Sequence, residues 1–433
     1  MSVTVGFWGV GILILLLIAR FPVALALMTV SFGGITYMVG LTPAFGIVMN
    51  TPYSFVASWT MSAVPMFLLM GFISYHSGLT TGLFEAAKVL LRRVPGGLAI
   101  SSIFACSGFA AVSGSSLACA AAMGRIAIPE MVAAGYKPSV AAGSIAAGGT
   151  IGALIPPSIL MIIYGVLAET SVTQVFIGGI GIGVLTALSY VAVILIISYT
   201  RPDLIPRHIA NDGANSARAL FKIWPMLVLV AVVFGGLFSG LFSATEAGAV
   251  GALGSIILGL ITGGLTRKAF SESLLETVMT TSSLFIIAVG AAMFTRFLGL
   301  SGLSSFLNSL VAGSDLSYFQ LMLIVVLVYL ALGTFMEPFG AMLVTLPVFL
   351  PILQAEQISL VWFGVLVVKL LEIGMITPPV GLNVFVIKNV AGQYVTVVDI
   401  FKGVIPFLIA DLFVVALVIA VPSVVMFLPD LMQ

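Results

Sequence analysis

Long apolar segments, most of them the length of a membrane crossing, make up the greater part of this sequence. A transmembrane helix needs about 20 mostly apolar residues. Such segments lie near 5–19, 22–42, 54–76, 139–168, 173–199, 223–243, 246–265, 274–298, 359–388 and 404–427. The chain is 61% hydrophobic and 7% charged, whereas a soluble domain carries about 25% charged residues. We therefore predict an all-α polytopic membrane protein.

Two further apolar stretches, 98–134 and 319–354, are too long for a single crossing. Each has a break near its middle, AVSGSSLA at 111–118 and LGTFMEPF at 332–339. Glycine, serine and proline interrupt a helix, and irregular backbone at membrane depth is tolerated where protein or water covers it. We predict that each stretch is a re-entrant hairpin.

The positions of Lys and Arg give a predicted orientation, because short cytoplasmic loops carry an excess of both. With both hairpins re-entrant, every basic cluster falls inside, which puts both chain termini outside and the central loop 201–222 inside. The first hairpin then opens to the cytoplasm and the second to the outer side. The clusters are Arg20; Lys88, Arg92 and Arg93; Arg201, Arg207, Arg218 and Lys222; Arg267 and Lys268; Lys388 and Lys402.

The two halves of the chain match each other at a fixed spacing. Amphipathic segments at 79–91 and 300–311 precede the two hairpins. We predict an inverted repeat of residues 1–210 and 211–433, each with scaffold spans, a hairpin and a discontinuous helix, as in many secondary transporters. A shift of 222 positions places Pro129 on Pro351, Gly152 on Gly374, Pro156 on Pro378 and Pro157 on Pro379.

The repeated Pro-Pro pairs, in GALIPPS (152–158) and GMITPPV (374–380), predict two broken helices. Proline has no N–H to bond the carbonyl four residues earlier. The carbonyls of Gly152 and Ala153, and of Gly374 and Met375, are thereby freed. Freed carbonyls attract a cation, and the N-terminus of the resumed helix attracts an anion. The simpler alternative is a kink without a binding role.

Side-chain oxygens stand close to both breaks and favour Na⁺ as the cation. Thr150 and Ser158 flank the first break, and Thr377 with Asn383 flanks the second. Hydroxyl and carbonyl oxygens are hard ligands.

Polar residues at the hairpin tips are further candidates. The tip Ser113, Gly114, Ser115, Ser116 either exposes helix ends to a site or packs small residues closely. Glu337 at the second tip either binds a cation or proton, or caps the returning helix, since an ionisable residue at membrane depth suggests function.

Three other charged residues lie inside apolar segments. Lys369 and Glu372 are three residues apart on one helix face, which predicts a local ion pair. Arg125 either approaches an anionic substrate or extends its side chain to the inner surface.

Several motifs together resemble the large membrane subunit of tripartite ATP-independent periplasmic (TRAP) transporters. The likeness covers nearly the whole chain. The motifs are PMFLLMGFISYHSG (65–78), RRVPGG (92–97), GSSLACAAAMGRIAIPEM (114–131), GGTIGALIPPSIL (148–160), EPFGAMLVTLPVFLPI (337–352) and GMITPPVGLNVFV (374–386).

The resemblance implies a Na⁺-driven secondary transporter of the elevator type in the bacterial inner membrane, with no other cofactor. Hairpins and broken helices would form a mobile transport domain, and the other spans would form a scaffold. The partners implied are a small membrane subunit and a periplasmic binding protein that delivers an organic acid.

The resemblance also implies positions for the sites. The first cation site would use Ser113, Gly114, Ser115, Thr150, Gly152 and Pro156. The second would use Gly333, Thr334, Glu337, Gly374, Thr377 and Pro378. The candidate substrate-binding residues are Ser115, Ser116, Arg125, Pro157, Ser158, Pro379 and Asn383.

Other functions fit the sequence less well. A stand-alone Na⁺- or H⁺-coupled carboxylate symporter or antiporter of the same fold is the main alternative. An intramembrane enzyme is disfavoured, because there is no HExxH motif and no Asp, Ser–Lys or Ser–His set at membrane depth. An ATP-driven pump lacks its GxxxxGK[ST] motif, and a net charge of +1 suggests no nucleic-acid partner.

Overall fold

The structure, a computed structural model, describes residues 2–19, 21–206, 220–312 and 317–432, and within these ranges it contains helices and no strand. Seven described helices are long and apolar enough to cross a membrane, or eight if the bent pair Leu41–Val56 and Trp59–His76 forms one span. This confirms the predicted all-α polytopic fold. Arg20, Arg207, Arg218 and the predicted repeat boundary at 210/211 lie outside the described residues.

The first half of the chain contains a hairpin and a broken helix at the predicted positions. Its helices are α1 (Ser2–Ile18), α2 (Val23–Val39), α3 (Leu41–Val56), α4 (Ala63–His76), α5 (Gly82–Leu91), α6 (Gly97–Ser113), α7 (Ser116–Ala133), α8 (Pro138–Thr150), α9 (Ile159–Leu167) and α10 (Val172–Thr200). α6 and α7 pack against each other. We call residues 113–116 the first tip and residues 151–158, between α8 and α9, the first break.

The second half has the same two features in the same order. Its helices are α11 (Trp224–Phe238), α12 (Ala244–Ile261), α13 (Arg267–Ser301), α14 (Leu303–Ala312), α15 (Tyr318–Phe335), α16 (Pro338–Ala355), α17 (Leu360–Gly374), α18 (Leu382–Ala391), α19 (Val397–Ala420) and α20 (Ser423–Asp430). We call residues 333–337 the second tip and residues 375–381, between α17 and α18, the second break.

Local sequence signals explain where several of these helices begin. Ser243 caps α12, with its hydroxyl accepting from the Glu246 N–H at 3.3 Å while the Glu246 carboxylate accepts from the Ser243 N–H at 2.8 Å. Ser317 and Gln320 form the same reciprocal pair at the start of α15. Such capping boxes satisfy N–H groups that have no partner within the helix.

Each broken helix continues into the opposite half of the molecule. α9, which follows the first break, packs against α16 and α17, whereas α18, which follows the second break, packs against α7 and α8. The Tyr164 hydroxyl on α9 donates to the Leu360 carbonyl at the start of α17 at 2.6 Å. The hairpins and broken helices of both halves are therefore interlocked.

The buried residues form two clusters that follow this arrangement. One cluster joins α5–α8 with α18 and with parts of α10 and α19. The other joins the second hairpin, α9 and α17 with α1, α2, α4 and α11–α13. Among the latter helices, α2 packs on α13, and α4 packs on both α12 and α13. α4 also contacts α6 and α9, so that α4 and α13 face the two tips.

Two predicted spans are divided in the structure. The predicted span 54–76 begins within α3, and the chain bends by 59° before α4. Pro65 lies in the first turn of α4, where its missing N–H costs no helical bond. The predicted span 404–427 ends early, because α19 stops at Ala420 and Pro422 separates it from α20.

Candidate functional site

A cavity of about 580 Å³ lies where the two tips face α4 and α13. Its walls include the first tip, Glu337 of the second tip with the start of α16, the start of α9, and the end of α17. The polar residues that line it are Tyr75, Ser113, Ser115, Ser116, Glu276, Thr280, Ser283, Glu337 and Glu372.

The first tip packs directly on the first break. Gly114 has a left-handed φ of 58°, and a Cβ on it would clash with the Pro157 carbonyl. A Cβ on Gly152 would lie 2.9 Å from the Ser115 carbonyl oxygen. Glycine is therefore needed on both sides of this contact. The structure thus brings Gly114, Ser115 and Gly152, three of the residues that the resemblance assigns to the first cation site, to the same tip–break contact.

Two helices begin next to this contact. Ser115 precedes α7, and its hydroxyl accepts from the Ala118 N–H at 3.4 Å. Ser158 is buried and caps α9, accepting from the Met161 N–H at 3.4 Å. Both hydroxyls thus receive a backbone hydrogen bond and keep lone pairs for another partner.

The second tip and second break meet in the same way. A Cβ on Gly374 would lie 2.5 Å from the Gly333 carbonyl carbon, so the backbones touch. Thr334 is buried, and its hydroxyl donates to the Leu330 carbonyl at 2.7 Å. Glu337 stands at the N-cap position of α16 but makes no side-chain capping bond. Its side chain lines the cavity instead, which argues against the capping alternative.

The carbonyls of the second break are not free, which corrects one premise of the sequence analysis. The Gly374 carbonyl accepts from the Thr377 N–H at 3.1 Å, and the Met375 carbonyl accepts from the Asn383 N–H at 3.0 Å. The Asn383 N–H lies beyond Pro378 and Pro379 and reaches back to the Met375 carbonyl, whereas the Thr377 N–H precedes both prolines. A carbonyl has a second lone pair, so Gly374 remains a predicted ligand.

The first break differs in this respect. Among the described residues, no loop N–H donates to the carbonyls of Gly152 or Ala153. Pro156 and Pro157 are buried, whereas Pro378 and Pro379 are exposed. The repeated sequence motif therefore lies in two different environments.

Glu372 connects the second half to the first tip. The Ser116 hydroxyl donates to Glu372 Oε2 at 2.6 Å. The predicted ion pair between Lys369 and Glu372 is wrong, because Lys369 pairs with Asp411 on α19. Asp411 is 42 residues from Lys369 in sequence, so helical spacing gave no indication of this partner.

A fully buried polar network extends from this ion pair to the first break. The Tyr190 hydroxyl donates to Asp411 Oδ2 at 2.6 Å and lies 3.1 Å from the Thr150 hydroxyl. Thr150, Tyr190, Lys369 and Asp411 are all 0% exposed. The sequence analysis found no Asp set at membrane depth and missed Asp411. Its position within the apolar run IADLF was the available signal.

Asn383 lies beside the first half. Its amide Nδ2 donates to the Ala146 carbonyl at 3.4 Å, and its Oδ1 is buried without a partner in the described residues. α18 packs against α7 and α8, which places Asn383 near the first break although the sequence associated it with the second.

Other predicted residues lie away from the cavity. Arg125 is exposed on α7 and does not line it. Thr377 is half-buried, and its hydroxyl donates to the Ile373 carbonyl at 2.7 Å. Thr150, Gly152, Pro156, Pro157, Ser158, Gly333, Thr334, Gly374, Pro378, Pro379 and Asn383 likewise are not among its lining residues.

The cavity has an unusual charge distribution. Three carboxyl groups line it, those of Glu276, Glu337 and Glu372, and within the part of the chain that the structure describes no Lys or Arg does. The N-termini of α7, α9 and α16 also reach it, through Ser116, Ile159 and Pro338. Helix N-termini carry a partial positive charge and unpaired N–H groups that favour anions.

Glu276 also belongs to a second polar group at one end of the cavity. His76 at the end of α4 lies 3.3 Å from Glu276 and 3.7 Å from Glu272, both on α13. In residues 2–19, 21–206, 220–312 and 317–432, no group of three or more His, Cys, Asp or Glu side chains has metal-binding geometry.

Comparison with known proteins gives a consistent assignment. The family model described as "Tripartite ATP-independent periplasmic transporter, DctM component" matches residues 10–424. The C4-dicarboxylate TRAP transporter large permease protein DctM of Pseudomonas aeruginosa is 36% identical over 374 residues, covering 86% of each chain. The sialic acid TRAP transporter large permease protein SiaM of Vibrio cholerae is 32% identical over 420 residues, covering 96% of each chain.

Two further matches differ in chain length or in sequence distance. The isethionate TRAP transporter permease protein DctMQ of Oleidesulfovibrio alaskensis is 30% identical over 421 residues, which are 96% of this chain and 65% of that protein. The crystal structure of the YdaH transporter of Alcanivorax borkumensis superposes with a TM-score of 0.62 at 17% identity, covering 88% of each chain. The relatives are transport permeases, in agreement with the prediction of a transporter rather than an enzyme.

Proposed function

Because this chain belongs to the DctM component family of tripartite ATP-independent periplasmic transporters, we propose that it imports an organic acid by Na⁺ coupling. In such a transporter it is the large membrane subunit. The acid is delivered by a periplasmic binding protein. The membrane is the bacterial inner membrane, with the N-terminus on the periplasmic side.

The cavity between the tips and α4 and α13 is the observation that carries this proposal. Three helix N-termini reach it, which suits an anion, but three carboxyl groups also line it, and among the residues that the structure describes no basic side chain does. An organic anion entering such a cavity is repelled unless cations neutralise the carboxylates. Cotransport of Na⁺ with the anion satisfies both requirements.

The two tip–break contacts are the proposed Na⁺ sites. In the first, the carbonyls of Gly152 and Ala153 are available, together with the hydroxyls of Ser113, Ser115 and Thr150. In the second, we assign Glu337, Thr334, Thr377 and the Gly374 carbonyl as ligands next to the contact between Gly333 and Gly374. Hairpin tips and unwound helices with exposed oxygens hold cations in secondary transporters.

An elevator movement is consistent with the packing. Both hairpins and both broken helices interlock through α9 and α18, so they can move as one body. α4 contacts α6 and α9, α13 contacts α16, and the cavity lies within this interface. We propose that this interlocked unit slides against the scaffold that includes α2, α4, α12 and α13.

A small membrane subunit is the second proposed partner. The family description names a tripartite system. The isethionate permease DctMQ is longer than this chain, which spans 65% of it, and a second subunit fused to the first accounts for that difference. The named substrates of three relatives, a C4-dicarboxylate, isethionate and sialic acid, are all organic acids, which supports an organic anion here.

Reconstitution with omission of one component at a time tests this function. The ligand of the binding protein is first identified by thermal-shift screening and then used for uptake into proteoliposomes under an inward Na⁺ gradient. We expect uptake when this chain, the small subunit and the binding protein are all present, and none when any one is left out. Strong uptake of free ligand by this chain alone would favour a stand-alone symporter of the same fold.

A further inference from the structure

Glu372 has one oxygen without a hydrogen-bond partner in the described part of the chain. Its Oε2 accepts from the Ser116 hydroxyl at 2.6 Å, but Oε1 is buried without a hydrogen bond among the described residues. The residue is 1% exposed and lines the cavity beside the first tip. Burial of a carboxylate with an oxygen that has no hydrogen-bond partner costs free energy unless another charge compensates it.

The nearest cation on the same helix is already engaged. Lys369, three residues before Glu372, pairs with Asp411, whose other oxygen accepts from Tyr190. The charges of Asp411 and Lys369 therefore compensate each other. Among the described residues, no basic side chain on the cavity wall compensates the charge of Glu372.

The first tip contains a second buried oxygen that has no hydrogen-bond partner among the described residues. The Ser113 hydroxyl, at the end of α6, is 8% exposed and has no hydrogen-bond partner in the described ranges. Ser113 and Glu372 both line the cavity next to the first tip. A carboxylate and a hydroxyl, together with backbone carbonyls, are ligands that suit a hard monovalent cation.

We propose that Glu372, which belongs to the second half of the chain, supplies a carboxylate ligand to the cation site at the first tip, together with the Ser113 hydroxyl. The site is therefore assembled from both halves. The identity of the cation as Na⁺ rests on the proposed function. The Ser116–Glu372 hydrogen bond holds the tip against the helix that carries the carboxylate, so cation binding stabilises the closed tip.

This site also relates cation binding to substrate binding. A cation on Glu372 removes one negative charge from a cavity in which the N-termini of α7 and α9 favour an anion. Each ligand then raises the affinity of the other by the same factor, because binding linkage is reciprocal.

Thermal unfolding of the full-length chain in detergent, titrated with NaCl against choline chloride, tests this assignment without a transport assay. We expect Na⁺ to raise the unfolding temperature of the unsubstituted chain. Glu372→Gln keeps the shape and the bond from Ser116 but should raise the Na⁺ concentration for half-maximal stabilisation by about tenfold or more. Glu372→Asp should respond at an intermediate concentration.

Glu272→Gln is the matched control, because Glu272 lies on α13 beside His76 with its side chain 45% exposed and is not among the residues that line the cavity. Its Na⁺ response should equal that of the unsubstituted chain. Ser113→Ala tests the second proposed ligand while Glu372 keeps its bond from Ser116, so the Na⁺ concentration for half-maximal stabilisation should again rise.

The outcomes separate this inference from the function on which it rests. If Na⁺ does not stabilise the unsubstituted chain, both the assignment of Na⁺ as the coupling ion and the proposed site are wrong. An unsubstituted chain that responds to Na⁺, with Glu372→Gln responding at the same concentration, would overturn the role of Glu372 alone.

Discussion

At the scale of single residues, hydrogen-bond donors decide which oxygens are free to bind a cation. The Thr150 hydroxyl has one proton and two acceptors, the Ala147 carbonyl at 2.7 Å and the Tyr190 oxygen at 3.1 Å. The proton of Tyr190 is committed to Asp411. Thr150 must therefore donate, which leaves both of its lone pairs for another partner. The sequence predicted Thr150 as a ligand, but the Tyr190–Asp411 pair that orients it comes from helices α10 and α19.

Ser115→Ala tests the hydroxyl of the first tip. The substitution removes a proposed Na⁺ ligand and the cap of α7, and lost caps cost about 0.5–2 kcal/mol. We expect a higher Na⁺ concentration for half-maximal uptake and a lower unfolding temperature.

Thr377→Ala at the second break should raise the Na⁺ concentration for half-maximal uptake with little change in stability, because its hydroxyl caps no helix. Unchanged Na⁺ dependence in both variants would contradict their assignment as ligands.

Glu337→Gln tests the carboxylate of the second tip. The side chain makes no capping bond, so removal of its charge should leave thermal stability nearly intact. If Glu337 is a ligand, uptake should fall sharply and the Na⁺ concentration for half-maximal uptake should rise by about tenfold. Normal Na⁺ dependence in this variant would remove Glu337 from the second site.

At the scale of helices, the sequence predicted the elements and their breaks more closely than their partners. The hairpins predicted at 98–134 and 319–354 correspond to Gly97–Ala133 and Tyr318–Ala355 in the structure, because glycine, serine and proline interrupt helices locally. The packing of α9 on α17, and of α18 on α7, joins segments that are distant in sequence. No local pattern encodes such contacts, which is why the bond from Ser116 to Glu372 and the bond from Asn383 to the Ala146 carbonyl were not predicted.

Gly374→Ala tests the contact between the second tip and the second break. The added Cβ would lie 2.5 Å from the Gly333 carbonyl carbon, and overpacking of this kind typically costs about 1–3 kcal/mol. We expect a lower unfolding temperature and weaker Na⁺ stabilisation. Gly11→Ala in α1 is the control, because its Cβ meets nothing within 4 Å and alanine favours a helix by about 1 kcal/mol. Equal stability of the two variants would argue against a tight tip–break contact.

At the scale of the whole molecule, the inverted repeat and the orientation remain predictions. The repeated order of hairpin and broken helix agrees with a repeat, but Pro156 and Pro157 are buried while their counterparts are exposed. The two halves therefore have the same order of hairpin and broken helix, but the equivalent prolines differ in burial. Arg20 and most of the central basic loop lie outside the described residues, so the orientation depends on the charge distribution along the sequence.

Labelling with a membrane-impermeant maleimide tests the orientation. Both native cysteines are buried, which lowers background reaction. A cysteine at Asp203, exposed after α10, should react in intact cells only after permeabilisation. A cysteine at Leu241, which is 76% exposed between α11 and α12, should react without it. The reverse pattern would refute the predicted orientation and, with it, the re-entrant hairpins.

The most direct test of Na⁺ coupling at the two tip–break sites is uptake by the complete reconstituted system under imposed ion gradients. The binding protein's own ligand is supplied outside, and a Na⁺ gradient at equal pH is compared with a pH gradient in the absence of Na⁺. We predict accumulation under the Na⁺ gradient and no accumulation under the pH gradient. Full-rate uptake driven by the pH gradient without Na⁺ would show that protons drive the cycle and would contradict the Na⁺ assignment of both sites.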